Sequence, residues 1–378
     1  MNFNMEVVVT MKKHYSKLLA AVALCWLGGS AYAGDGYVPC EETAGRGYWY
    51  GSAGVLVLKQ VGGSNPAFVT ETYSAIDPIT GQTQLLRSAI SEFSHDYNWS
   101  GRIELGVKDS SGFGLRFRFF WIDDSSSLSF RDNTGVQSDP AFPGLTYNTI
   151  TGNRYLSAIP LGINFGSVGT ATAPSTFRAS RDLEIRAYDF DITSDCKRGN
   201  LETTWSAGLR WLTIDQSYNA SEAINDPGAL EATAVFPITQ NLFSNHNLNA
   251  FGPTVGLEAR YALNNNLKGF VGGKFGILYA EGDQNATLLL GSNDPNFQLP
   301  NGTISAGRCL ALPVGELELG AEYARVLGCD GPELFIRGSV ISQAFWGAGN
   351  AARVNSSNQP ANEDLFFFGF SAMVGIRF

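Results

Sequence analysis

Chemistry at a site usually starts from histidine, cysteine or paired carboxylates, and this chain offers few of them. A Ser–His or Cys–His catalyst needs its histidine within hydrogen-bond reach of a nucleophile and an orienting partner. His14 lies in the N-terminal segment, and His95 and His246 fall near expected loops, with Asp96 only a sequence neighbour of His95. No C-x-x-C occurs, so the ligand spacing of a zinc site is lacking. No catalytic residue, cofactor site or metal site is read from these groups.

More informative are charged residues two positions apart, which share one face of a β-strand. Arg102, Glu104 and Lys108 form one such set, followed by Arg116 and Arg118, then Asp182, Glu184 and Arg186. Glu202 and Arg210, Glu258 and Arg260, Lys268 and Lys274 continue the pattern, and Glu316, Glu318, Glu322, Arg337 and Arg377 complete it. Collected inside a closed barrel, these side chains make a mixed-charge lining that shapes the passage of ions and small solutes. The competing outcome is a plug of salt bridges, because side chains just fill an eight-stranded barrel and ten strands are only slightly wider.

Ten segments carry the alternation: 48–58, 99–108, 113–121, 181–192, 201–213, 251–261, 267–279, 316–323, 334–345 and 364–378. Opposite the charges stand apolar side chains, for example Ile103, Leu105 and Val107, or Leu115, Phe117 and Phe119. A charge facing lipid costs ~2–4 kcal/mol at mid-bilayer, so the charged face belongs to the lumen. Segment 181–192 alternates through Leu183, Ile185 and Ala187, then shifts phase at Tyr188 and Phe190, which suggests a bulge. Trp99, Trp121, Trp211, Tyr279 and Trp346 mark the loop-side strand ends; Tyr48, Phe113, Tyr261, Tyr323 and Phe378 mark the turn-side ends. Two such rows are the aromatic girdles of a membrane barrel.

Connections alternate between short turns rich in Gly, Asn or Asp, such as 109–112 and 262–266, and long stretches, such as 59–98 and 123–180. Short periplasmic turns and long outer loops are the plan of an outer-membrane barrel. The expected fold is therefore all-β, a transmembrane antiparallel up-and-down barrel of about ten strands, range eight to twelve, with twelve if 59–98 hides a hairpin.

Composition agrees. The 378 residues carry 26 basic and 35 acidic side chains, a net charge of −9, which argues against nucleic acid as a partner. Charged residues are only 16% and aromatics 12%, too apolar for a disordered chain, while the mean hydropathy of −0.05 is too low for a helical membrane protein. Lys12 and Lys13, the apolar run 18–27 and the Ala31-Tyr32-Ala33 triplet read as a secretory signal peptide, 1–33. A start at Met11 would make residues 1–10 an extension. Cleavage leaves 23 basic and 34 acidic groups, a net of −11. Residues 34–47 are then an N-terminal periplasmic segment and 48–378 the barrel.

Export permits disulfides. Cys196 and Cys329 sit in turns and Cys40 precedes the first strand, whereas Cys309 lies at the outer end. At most one bridge is expected, among Cys40, Cys196 and Cys329.

Several blocks resemble the pore-forming outer-membrane family named after the Legionella major outer membrane protein. They are WYG at 49–51, LEIRAYDFDIT at 183–193, SAGLRWLTIDQSYNA at 206–220, FGPTVGLEAR at 251–260, GELELGAEY at 315–323, FWGAGN at 345–350 and the terminal FFFGFSAMVGIRF. The resemblance covers most of the mature chain. It implies a barrel porin and carries no catalytic set. The expected function is passive diffusion of ions or small hydrophilic solutes, without enzymatic activity. The alternative is a structural or adhesive surface barrel with a plugged lumen, acting through its outer loops. Expected partners are outer-membrane lipid and the barrel-assembly machinery, with oligomers open.

Overall fold

The computed structural model describes residues 47–62, 66–73, 85–132, 153–156, 175–224, 238–292, 302–327, 331–351 and 363–378. The expected signal peptide lies outside them. Ten strands close a barrel: β1 (Tyr48–Gly62), β4 (Asn98–Lys108), β5 (Phe113–Asp132), β7 (Ser175–Arg198), β8 (Leu201–Ile224), β9 (Ile238–Ala262), β10 (Leu267–Ser292), β11 (Gly302–Val326), β12 (Glu333–Phe345) and β13 (Leu365–Arg377). Every pair of barrel neighbours is antiparallel, and β1 closes the ring by pairing with both β4 and β13. Closure leaves no open edge within the bilayer, where no water would satisfy one.

Local chemistry sets the turns. Asp109 Oδ1 accepts from the Ser111 and Phe113 amides, both at 2.9 Å, and from Ser111 Oγ at 2.6 Å, which bends the chain from β4 into β5. Asn264 Oδ1 does the same between β9 and β10, accepting from the amides of Asn266 and Leu267.

A bilayer needs only about 9–11 residues of tilted strand, yet β7 to β11 run 24 to 26 residues. Much of what reads as loop in 123–180, 214–249 and 281–312 is therefore strand that rises beyond the membrane. Strands β4, β12 and β13 stop at 11 to 13 residues, so the extension is one-sided. The stretch 59–98 does hold a hairpin, β2 (Pro66–Tyr73) and β3 (Leu85–Glu92), but it stays out of the barrel. With β6 (Asn153–Leu156) it forms a separate three-stranded sheet ordered β3-β2-β6.

Within the membrane band the outward side chains are apolar and exposed: Leu115 at 57%, Phe190 at 59% and Val374 at 58%. At the loop side, Trp99, Trp121, Trp211 and Tyr279 point outward, and Trp346 packs beside outward Phe275 and Phe366. At the turn side Phe113, Tyr261, Tyr323 and Phe378 are exposed. Tyr48 departs from this set: it lines the interior with Tyr50, and Trp49 takes the outward place, stacked on Phe378 at 4.2 Å. Parity along β1 decides this, since residues 48, 50 and 52 share the inner face.

Candidate functional site: the barrel interior

The inward side chains form strata from the short turns upward. The lowest is ionic. Arg102, Lys108, Arg116, Arg118, Arg210, Arg260, Lys268, Lys274, Arg337 and Arg377 pair with Glu104, Asp189, Asp191, Asp195, Glu202, Glu258, Glu316, Glu318, Glu322 and Glu333. Among the described residues that is ten cations against ten anions, so the stratum compensates itself.

Asp189, fully buried, is its centre. Its carboxylate meets Arg118 at 2.7 Å, Arg210 at 2.6 Å and Lys274 at 3.0 Å. Lys274 also reaches Asp191 at 2.8 Å, and Arg116 reaches it at 2.9 Å. Ties cross the lumen: Arg118 on β5 bonds Glu316 on β11 at 2.6 Å, and Arg102 on β4 bonds Glu318 at 2.8 Å. Such bonds offset desolvation only when each lone pair and proton is matched. Gly208 makes room for the Asp191 carboxylate, since a Cβ there would press against Phe190 O and stand 2.5 Å from Asp191 Oδ1.

Above lies an apolar stratum, with Leu56, Phe120, Ile122, Leu183, Ile185, Leu212, Ile214, Leu248, Leu278, Leu312, Ile341 and Phe367 each at most 3% exposed. These side chains come from nine of the ten strands and form one buried cluster inside the barrel. The Arg210 guanidinium joins the strata by lying 5.5 Å over the Phe120 ring.

The third stratum is polar and holds an inward fold of chain between β12 and β13. Gln216 Nε2 donates to Gly349 O at 3.1 Å, Arg308 to Gly347 O at 2.8 Å and Gln284 to Ala351 O at 3.0 Å. Gly347 and Gly349 have φ of 79° and 92°, left-handed values that suit glycine. A Cβ on Gly349 would press within 3.0 Å of both His246 and Arg308. His246 is fully buried, and among the described residues neither ring nitrogen has a hydrogen-bond partner. It sits above the aromatic boundary, where burial, with Arg308 second, pulls its pKa down to about 4. A last apolar cluster of Phe177, Tyr218, Leu242 and Leu288 caps the interior; the Tyr218 hydroxyl donates to Ala67 O on β2 at 2.5 Å.

The structure brings together every lumen residue named above from the sequence except three. Asp182, Glu184 and Arg186 point outward, with Arg186 bonding its neighbour Glu184 at 2.5 Å. The correction has one cause. Strand β7 keeps an unbroken register against both β5 and β8, so the suggested bulge is absent and odd-numbered residues face inward throughout. Asp189 and Asp191 share the inner face with Leu183 and Ile185, and Asp195 follows them because β7 runs on to Arg198, past residue 192 where the alternation was expected to end. The signal was present in YDFD: next to a short turn the aromatics must meet lipid, which sends the aspartates inward.

Cys196 is disulfide-bonded to a cysteine outside the described residues, and Cys309 is free and exposed.

A closed ten-stranded barrel with an apolar outer belt and an ionic interior defines a transmembrane β-barrel of the outer-membrane class. The model of the Legionella pneumophila major outer membrane protein precursor family matches residues 37–376, and the chain belongs to that family. Its place is the bacterial outer membrane. No curated protein sequence matches it. Among solved structures it is similar to the Escherichia coli outer membrane protease OmpT, at 10% identity and TM-score 0.38, covering 90% of this chain and 98% of that one. A major outer membrane protein from Thermus thermophilus follows at 11% identity and TM-score 0.28, covering 88% and 99%. A Pseudomonas aeruginosa FadL homologue shares 8% identity with TM-score 0.22, covering 88% and 90%.

Proposed function

We propose that this barrel is a sealed outer-membrane anchor that acts through its extramembrane half, rather than a diffusion pore. One observation carries the reading: the apolar stratum, whose side chains are at most 3% exposed across the barrel axis. A hydrated ion would have to shed its water to cross such a layer, at a cost of several kcal/mol. The ionic layer below adds a second barrier, because each of its ten cations is ion-paired with a carboxylate. The height of β7 to β11 and the second apolar cluster support a folded outer portion with its own core. The anchor reading includes no catalytic role.

Planar-bilayer recording on the purified, refolded protein tests this. A silent bilayer, with insertion verified by protease protection, is the expected result. Stepwise conductance would overturn the reading and restore the passive-diffusion pore, which requires the apolar stratum and the 346–351 segment to move aside.

A further inference from the structure

We infer that the turn-side end of the interior holds a binding site for a single small inorganic anion of halide size. A cavity of about 20 Å³ lies there, enough for one water-sized occupant. Its wall carries five cationic side chains, Lys108, Arg116, Arg260, Arg337 and Arg377, against two carboxylates, Glu104 and Glu322. Each of these cations also pairs with a carboxylate of the ionic stratum, so an anion in the cavity would share donors with those carboxylates.

Two buried polar groups on that wall are unmatched among the described residues. Thr193, 1% exposed, has no partner at Oγ1. Arg337, 6% exposed, has no acceptor at Nε. Its Nη2 is 2.7 Å from Glu258 Oε1 but off the hydrogen-bond direction, and its guanidinium lies 3.7 Å over the Phe270 ring. A buried donor left unmade costs about 1–3 kcal/mol, which an acceptor in the cavity would recover. Guanidinium and ammonium groups donate and never accept. A water there can place its two protons on Glu104, Glu322 or the hydroxyl oxygens of the wall, whereas a halide ion only accepts and answers the five cations. The site sits below the apolar stratum and does not depend on whether the lumen conducts.

Bromide is the probe. The refolded protein in detergent is melted in rising sodium bromide, with sodium gluconate holding ionic strength constant. A saturable, bromide-specific rise in Tm is expected, the signature of a ligand bound only by the folded state. Thr193→Val should raise the half-saturating bromide concentration about tenfold, the worth of one hydrogen bond to a charged group, and Arg337→Gln should abolish the response. Should Arg337→Gln fail to fold, crystals of the unaltered protein grown from bromide decide, with an anomalous peak beside Thr193 and Arg337. Equal melting in bromide and gluconate, with only water in the cavity, would overturn the inference.

Discussion

Along β8 the inward side chains near the short turn are Glu202, Thr204, Ser206, Gly208 and Arg210, and those beyond are Leu212, Ile214, Gln216 and Tyr218. The outward ones reverse the order, with Trp205, Leu209 and Trp211 below and Asp215, Ser217 and Asn219 above. Neither the hydrogen-bond ladder nor the side-chain parity changes between the two halves. Only the surroundings change, from lipid outside to water outside. The lower half is an inverted protein that hides its charges, and the upper half is an ordinary one that hides its leucines. Asp182, Glu184 and Arg186 belong to the second half, where an outward charge is free of the lipid penalty.

Substitutions in each half test that contrast. Asp189→Leu should be the most damaging, because it removes the carboxylate that Arg118, Arg210 and Lys274 share and leaves only Glu316 and Asp191 to hold them; unfolding in denaturant should show a loss of roughly 3–5 kcal/mol. A loss below ~1 kcal/mol would mean that the ionic stratum relaxes by admitting water. In the upper half Leu212→Ala removes packing and leaves a cavity, with an expected cost of ~2–5 kcal/mol in the same assay. Indifference there would deny that the apolar stratum is a packed core.

Acid should act through the third stratum. The folded pKa of His246 lies at about 4, below the ordinary value near 6.5. Between those limits the unfolded chain binds the proton and the folded one does not, so stability falls as pH drops. The slope is at most about 1.4 kcal/mol per pH unit. His246→Gln should flatten the wild-type difference across that window, as followed by Tm against pH. Gln216→Ala is gentler: it removes the bond to Gly349 O at a cost of about 1 kcal/mol. Amide exchange at 346–351 should then quicken, while the charged stratum stays protected. Arg186→Gln should leave unfolding unchanged, since its side chain is half exposed and pairs only at the surface; a measurable loss would return it to the interior.

Parity and turn spacing made most of the ionic stratum legible: Arg102, Arg118, Arg210, Lys274, Glu316 and Glu318 all fall on the charged face of strands beside short turns. The rule failed where its premise did, because a polar-inside pattern was carried past the bilayer into water. Tyr48 lies inside rather than in the girdle for a smaller reason, that an aromatic at a strand end satisfies either face.

From the order of residues alone come the ten membrane crossings, the exported class and the composition of the lining, because lipid tolerates only one arrangement of alternating side chains. Which carboxylate serves which guanidinium, and that leucines fill the barrel above them, depends on distances across the axis between residues such as Arg118 and Glu316, 198 positions apart. Alternation is local and fixes a face; closure is global and decides what that face meets.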